Sequence, residues 1–191
     1  GPKAVQSAGR TEYMMLIRDD FSRFSRVFFL RTKDESAKFF SQYLADIAPL
    51  KVEKVRSDME FSKGAFNALC RKENICQEFT TDDSPQYNGV AERQIGIIES
   101  AGLVAKIQAQ EMYPNESFPR GDSLWAEQAH WARDALNRTA TTAHPGFKLP
   151  HEMWFGEAQS SSPFPFPKQA FRRVKRKNKL RPKAEKCWYL G

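Results

Sequence analysis

Two rhythms of apolar and polar positions divide this chain. Tyr13 to Ile17 is an apolar run that ends in Arg18, Asp19 and Asp20, which predicts a buried strand closing on a polar turn. Val27, Phe28, Phe29 and Leu30 are β-prone and predict a hairpin partner over Arg26 to Arg31, with Asp-Phe-Ser-Arg supplying the turn. From Lys33 the rhythm changes. Ala37, Phe40, Tyr43, Leu44 and Ile47 recur at helical spacing, Thr32 can cap the helix with Glu35 at the capping-box position, and Pro49 stops it. A strand over Val52 to Arg56 follows, then a helix over Lys63 to Lys72 with Phe66, Leu69 and Cys70 inward, then a strand over Ile75 to Phe79.

Thr80 to Asn88 is rich in Thr, Asp, Ser, Pro and Asn and predicts an exposed loop. Gly89 opens a long helix to about Gln110, with Val90, Ile97, Ile98, Ala101 and Ala105 as its apolar stripe. Strand, strand, helix, strand, helix, strand, helix is the order of an α/β domain with a mixed sheet. Beyond it, Ser117 to Gly121 connects to a helix capped by Ser123 and ending near Asn137, with Trp125, Ala129, Ala132 and Leu136 along one side. Pro150 to Phe155 predicts a helical turn, and Ser160 to Pro167 a linker, since its prolines cannot donate to a ladder. Gln169 to Val174 and Cys187 to Leu190 predict strands of a small β unit.

Composition narrows the class. The 191 residues are 40% hydrophobic and 28% charged, with 15 Phe and 4 Trp, which is a globular rather than a disordered balance. The longest apolar runs fall far short of the roughly 18 residues of a membrane span, and the N-terminus has no stretch of signal-peptide length. Cys70, Cys76 and Cys187 are too sparse and odd a set for a disulfide framework, which points to a reducing, intracellular setting. Of the net charge of +7, residues 168–191 carry +9, from ten basic residues against Glu185 alone, and the remainder carries −2. A nearly neutral body with a basic end is the pattern of a protein that meets a polyanion through that end.

The chemistry-bearing pair is Asp58, directly after a strand, and Glu92, in the first turn of the long helix. Residues just past the carboxyl ends of strands in an α/β sheet face a common crevice, into which a helix starting there aims its first turn. Two acids gathered in this way form a hard, oxygen-rich site suited to Mg²⁺, the setting of metal-assisted phosphoryl transfer. Each acid also has a local reading, Glu92 as a partner of the helix macrodipole and Asp58 as an ordinary turn residue. Asp19 and Asp20 read as residues of the hairpin turn. Cys70 and Cys76 lack ligand spacing, and His130, His144 and His151 form no cluster, so these residues are read as structural and no zinc is expected.

Five words of the sequence carry a resemblance. DDFSRF (Asp19 to Phe24), VRSDMEF (Val55 to Phe61), SPQYNGVAER (Ser84 to Arg93), LPHEMWFG (Leu149 to Gly156) and PKAEKCWYLG (Pro182 to Gly191) resemble, in order, the integrase of copia-type LTR retrotransposons. That family is a branch of the retroviral integrase superfamily with an RNase H-like fold. The resemblance implies an α/β, RNase H-like mixed sheet flanked by helices, with a catalytic core over 1–112, a helical extension over 113–159, a linker over 160–167 and the start of a basic C-terminal unit over 168–191. It implies metal-dependent polynucleotidyl transfer that joins the 3′ ends of element DNA to target DNA, with Mg²⁺ or Mn²⁺ held by Asp58 and Glu92. Gln86, Tyr87, Asn88 and Arg93 beside the site, and Arg172, Arg173, Lys175, Arg176, Lys177 and Lys179 in the basic end, are the expected DNA contacts. Homo-oligomers on DNA are also implied, as is work in the nucleus, reached by way of a cytoplasmic particle.

Three departures from the family pattern stand beside it. The family's first catalytic Asp and its strand would fall upstream of Gly1, so this stretch alone is expected to fold poorly and to be catalytically inactive. Met59, Glu60 and Phe61 stand where Asn-Gly-Gly-Glu-Phe is usual, and Gly96 stands where a basic residue is common. The alternative reading is a non-catalytic nucleic-acid-binding relic, or a domesticated integrase-like module.

Overall fold

In a computed structural model the described residues are 1–80, 85–116, 121–157, 164–173 and 184–190. The expected hairpin forms as β1 (Tyr13–Arg18) and β2 (Ser25–Leu30). It is antiparallel, bracketed by backbone bonds from Glu12 N to Leu30 O and from Asp19 N to Phe24 O, both 2.9 Å. Its connection is built by side chains. The Asp19 carboxylate accepts from both the amide and the hydroxyl of Ser22, each at 2.7 Å, which is how a short acidic side chain replaces a backbone turn bond.

The first helix differs from expectation at its start. A 3-10 turn over Lys33–Glu35 precedes α1 (Ser36–Asp46), and Thr32 makes no side-chain capping bond. Glu35 accepts instead from the amide of Arg31 at 2.6 Å, one residue before the capping-box partner, so the first turn winds more tightly. Phe40, Tyr43 and Ile47 are buried as the periodicity requires. β3 (Lys54–Asp58) leads through a 3-10 turn, Met59–Ser62, into α2 (Gly64–Lys72). Phe66 of α2 stacks on Phe40 of α1 with centroids 4.8 Å apart, and Cys70 is fully buried.

β4 (Cys76–Thr80) pairs with β3 in parallel, from Lys54 opposite Cys76 to Asp58 opposite Thr80. Strands of both orientations are present, but the described strands pair as separate two-stranded sheets rather than one continuous mixed sheet. The long helix, α3 (Pro85–Met112), begins four residues earlier than expected. Proline suits a first helical position, where its missing N–H would have no intrahelical partner. Its inward face is also rotated from the expected stripe. Ile98, Ala105 and Ala109 are buried, whereas Val90 and Ile97 are exposed. The second apolar stripe reflects a helix that is apolar on more than one side.

A 3-10 turn over Gly121–Leu124 precedes α4 (Trp125–Asn137), so Leu124 rather than Ser123 occupies the cap position. α3 and α4 meet closely at Gly102, where an added Cβ would lie 3.1 Å from the Cβ of Gln128. Ala129 and Ala132 face inward as expected, joined by Ala126, Gln128 and Asn137, while Trp125 and Leu136 are half-buried. α5 (Pro150–Phe155) ends at Gly156, whose φ of +78° favours glycine and whose amide donates to Glu152 O at 2.8 Å.

The described end of the expected linker is packed rather than free. Phe166 is buried against Trp131, and the Trp131 indole donates to Phe164 O at 2.6 Å. Aromatic residues between the prolines supply apolar area that a bare spacer would lack. β5 (Lys168–Arg173) and β6 (Ala184–Tyr189) form the small antiparallel unit, with β6 starting three residues earlier than expected. The chain divides into two compact units, one of 1–16 with 28–96 and the other of 17–27 with 97–191. No described helix is long and apolar enough to cross a membrane.

Candidate metal and nucleic-acid site

The carboxyl ends of the parallel strands carry the candidate site. Along β3, exposed Lys54, Arg56 and Asp58 alternate with half-buried Val55 and Ser57, as a one-sided strand requires. Asp58 is the last residue of β3, and it stands opposite Thr80, the last residue of β4. Thr80 is buried, and its hydroxyl donates to Ser57 O at 3.5 Å. Ser57 Oγ is buried with no hydrogen-bond partner among the described residues. Glu92 is exposed and lies in the same compact unit as Asp58.

With α3 opening at Pro85, Glu92 is its eighth residue rather than a first-turn residue. The attraction of an acid to free amides at a helix start fades within the first turn, so that local explanation of Glu92 does not apply. Gln86, Tyr87 and Asn88 fall on the first turn of α3, not on a loop, and Arg93 is exposed beside Glu92.

Sequence reasoning missed the charges around Asp58. Lys33 Nζ pairs with Glu60 Oε2 at 2.5 Å, and its pKa is raised chiefly by that bond, with a smaller contribution from Asp58. The two partners are 27 positions apart, and no periodic pattern links them. On the neighbouring strand Glu78 binds Lys54 at 2.7 Å and Arg56 at 2.9 Å, which together hold its carboxyl below the ordinary carboxylate range. Arg56 and Glu78 share a register position, which only the pairing of β3 with β4 defines.

Carboxylate oxygens are the right donors for Mg²⁺ or Mn²⁺, and Asp58 and Glu92 are both exposed residues. They therefore fit a divalent ion in kind. Among the described residues no group of three or more His, Cys, Asp or Glu is gathered for a metal. Cys70 is a core residue whose thiol is pushed up by burial, and His144 is buried with Nε2 donating to Ser22 O at 2.9 Å.

In the basic unit, Arg172 and Arg173 are exposed on β5, and Arg172 is ion-paired with Glu185 across the hairpin. Lys175, Arg176, Lys177 and Lys179 lie outside the described residues.

Comparison with known proteins decides the identity of this fold. The chain is 29% identical, over 199 aligned positions, to the Retrovirus-related Pol polyprotein from transposon TNT 1-94 of Nicotiana tabacum. The alignment covers all of this chain and 14% of that polyprotein. A chain of the simian T-cell lymphotropic virus intasome, in complex with PP2A regulatory subunit B56 gamma, superposes with a TM-score of 0.56. It is 14% identical, with 96% of this chain and 63% of that chain covered. The HTLV-2 integrase catalytic core domain in complex with magnesium, in trimeric form, gives 0.51 at 20% identity, covering 77% of this chain and 88% of that one. The chain is homologous to a retrotransposon Pol polyprotein and has the RNase H-like fold of integrase catalytic cores. No protein-family model matches this chain. The resemblance drawn from the five sequence words agrees with this retrotransposon relative and with this fold.

Proposed function

We propose that this chain carries the catalytic core of a retrotransposon integrase, with Asp58 and Glu92 as its metal-binding carboxylates. The observation that supports this most directly is the position of Asp58, which ends a strand of a parallel pair inside an integrase-type fold. In chain order the helix that bears Glu92 follows the other strand of that pair. The magnesium in the HTLV-2 core complex supports the choice of ion. A bound divalent ion would polarise a phosphodiester and lower the pKa of the attacking hydroxyl. The 3′-hydroxyl oxygen of element DNA then bonds to phosphorus of target DNA, the bond to the target's own 3′ oxygen breaks, and that oxygen leaves as a hydroxyl. Asp58 and Glu92 would hold the divalent ion at this centre, while Gln86, Tyr87, Asn88, Arg93 and the basic unit with Arg172 and Arg173 hold DNA. Assembly as a homo-oligomer on DNA, and work in the nucleus, belong to the same proposal.

The test is strand joining by the 191-residue chain, and by the chain extended upstream with the codons that precede Gly1 in its gene. A recessed-end donor duplex, a target plasmid and Mg²⁺ or Mn²⁺ complete the assay. Joined product that falls to background in Asp58→Asn and in Glu92→Gln is expected. Product indifferent to both substitutions would remove these residues from the site. DNA binding without any joining would favour the non-catalytic relic.

A further inference from the structure

The β5–β6 hairpin has two unequal faces. Directly opposed residues of an antiparallel pair share a face. One face therefore holds Gln169 with Trp188, Phe171 with Lys186 and Arg173 with Ala184, and the other holds Arg172 with Glu185. The hairpin's only described acid thus lies on the second face, where Arg172 neutralises it. The first face is anchored at one end, where Trp188 and Tyr113 pack edge to face with ring centroids 5.3 Å apart and Lys186 pairs with Glu116. Beyond that anchor the face opens to solvent at Phe171, whose ring is 75% exposed. Arg173, two positions along the same strand face, is also exposed. An uncovered aromatic ring beside a guanidinium, in a segment carrying +9, is unnecessary for solubility and costly to leave wet.

We propose that Phe171 is a stacking platform for an unpaired nucleobase, with Arg173 holding the adjoining phosphate, so that the hairpin prefers single-stranded over fully paired DNA. The proposal rests on the reading of the chain as a DNA-binding integrase and adds to it a residue and a ligand class. Aromatic rings accept any base through its π face, whereas a duplex keeps its bases stacked on one another, so the ring discriminates by strandedness rather than by sequence. Phosphate contacts carry the salt dependence and are shared by both forms of DNA.

The experiment measures fluorescence anisotropy of a labelled oligo-dT and of a matched duplex, titrated with the 191-residue chain at several salt concentrations. Phe171→Leu is expected to weaken oligo-dT binding about tenfold, the loss of one base stack, with little effect on the duplex or on the salt slope. Phe171→Tyr should restore the oligo-dT affinity. In Phe171→Trp, oligo-dT should quench the added indole beyond the quench seen in the parent chain. Equal losses on both forms of DNA, or no loss on either, would overturn the stacking role while leaving DNA binding intact. A parent chain that binds neither form would overturn both this inference and the integrase reading of the basic unit.

Discussion

The turn after β1 and the end of β3 each close a strand with an aspartate, and the two surroundings differ. Asp19 spends its carboxylate on the chain itself, accepting two bonds from Ser22. Phe21 and Asp20 of that turn are exposed, but Ser22, Phe24 and Ser25 are buried and each has a specific partner. Ser22 O accepts from His144, Phe24 stacks on Trp154 at 5.3 Å, and Asn137 grips Ser25 by accepting from its amide at 3.0 Å and donating to its carbonyl at 2.9 Å. Asp58 instead closes a strand whose exposed face is laced by surface ion pairs. Buried hydrogen-bonded groups fix structure because leaving one partner unmet is costly, whereas exposed ion pairs contribute little to stability. The same residue type is structural in one place and a candidate for chemistry in the other.

The sharpest way to break this comparison is Asn137→Ala. It leaves the Ser25 amide and carbonyl without their buried partners and should cost about 2–3 kcal/mol, read as a lower urea midpoint. A loss below about 0.5 kcal/mol would show that the turn is not clamped in this way. Next in size is the pair Asp19→Ala and Asp58→Asn. The first should destabilise by about 1–2 kcal/mol through the unmet Ser22 groups, and the second by less than about 0.5 kcal/mol. Equal losses would erase the distinction between the two acids.

The smallest effect concerns Glu78. Lys54 and Arg56 depress its pKa below the ordinary 4.5, so its contribution is present above that value and is lost as the pH falls through the depressed one. In Glu78→Gln that acid-side component of the stability profile should vanish and added salt should matter less, both measurable by melts across pH and ionic strength. An unchanged profile would show that the ion pairs contribute nothing.

Much of this was legible in the sequence. Phe40, Tyr43, Ile47, Phe66 and Cys70 are buried where helical spacing puts them, and the hairpin of β1 and β2 follows from its apolar runs and acidic turn. Periodicity failed where a helix offers two apolar stripes, as in α3, where Ile98 turned inward and Ile97 did not. It also failed at element starts, where Glu35 reached Arg31 and where Pro85 opened a helix inside a stretch that read as a loop.

What the sequence determined alone is local: which segments become strands or helices, where charge collects, and which words resemble those of integrases. The tertiary structure decided which distant polar groups meet. Asn137 meets Ser25 across 112 positions, and no pattern along the chain encodes a partner at that distance. Burial and pairing arise only when distant segments exclude water together. That is why the clamp of Asn137 on Ser25 had to await the fold, whereas the bonds of Asp19 to Ser22, three residues on, belong to a turn that the sequence already marked.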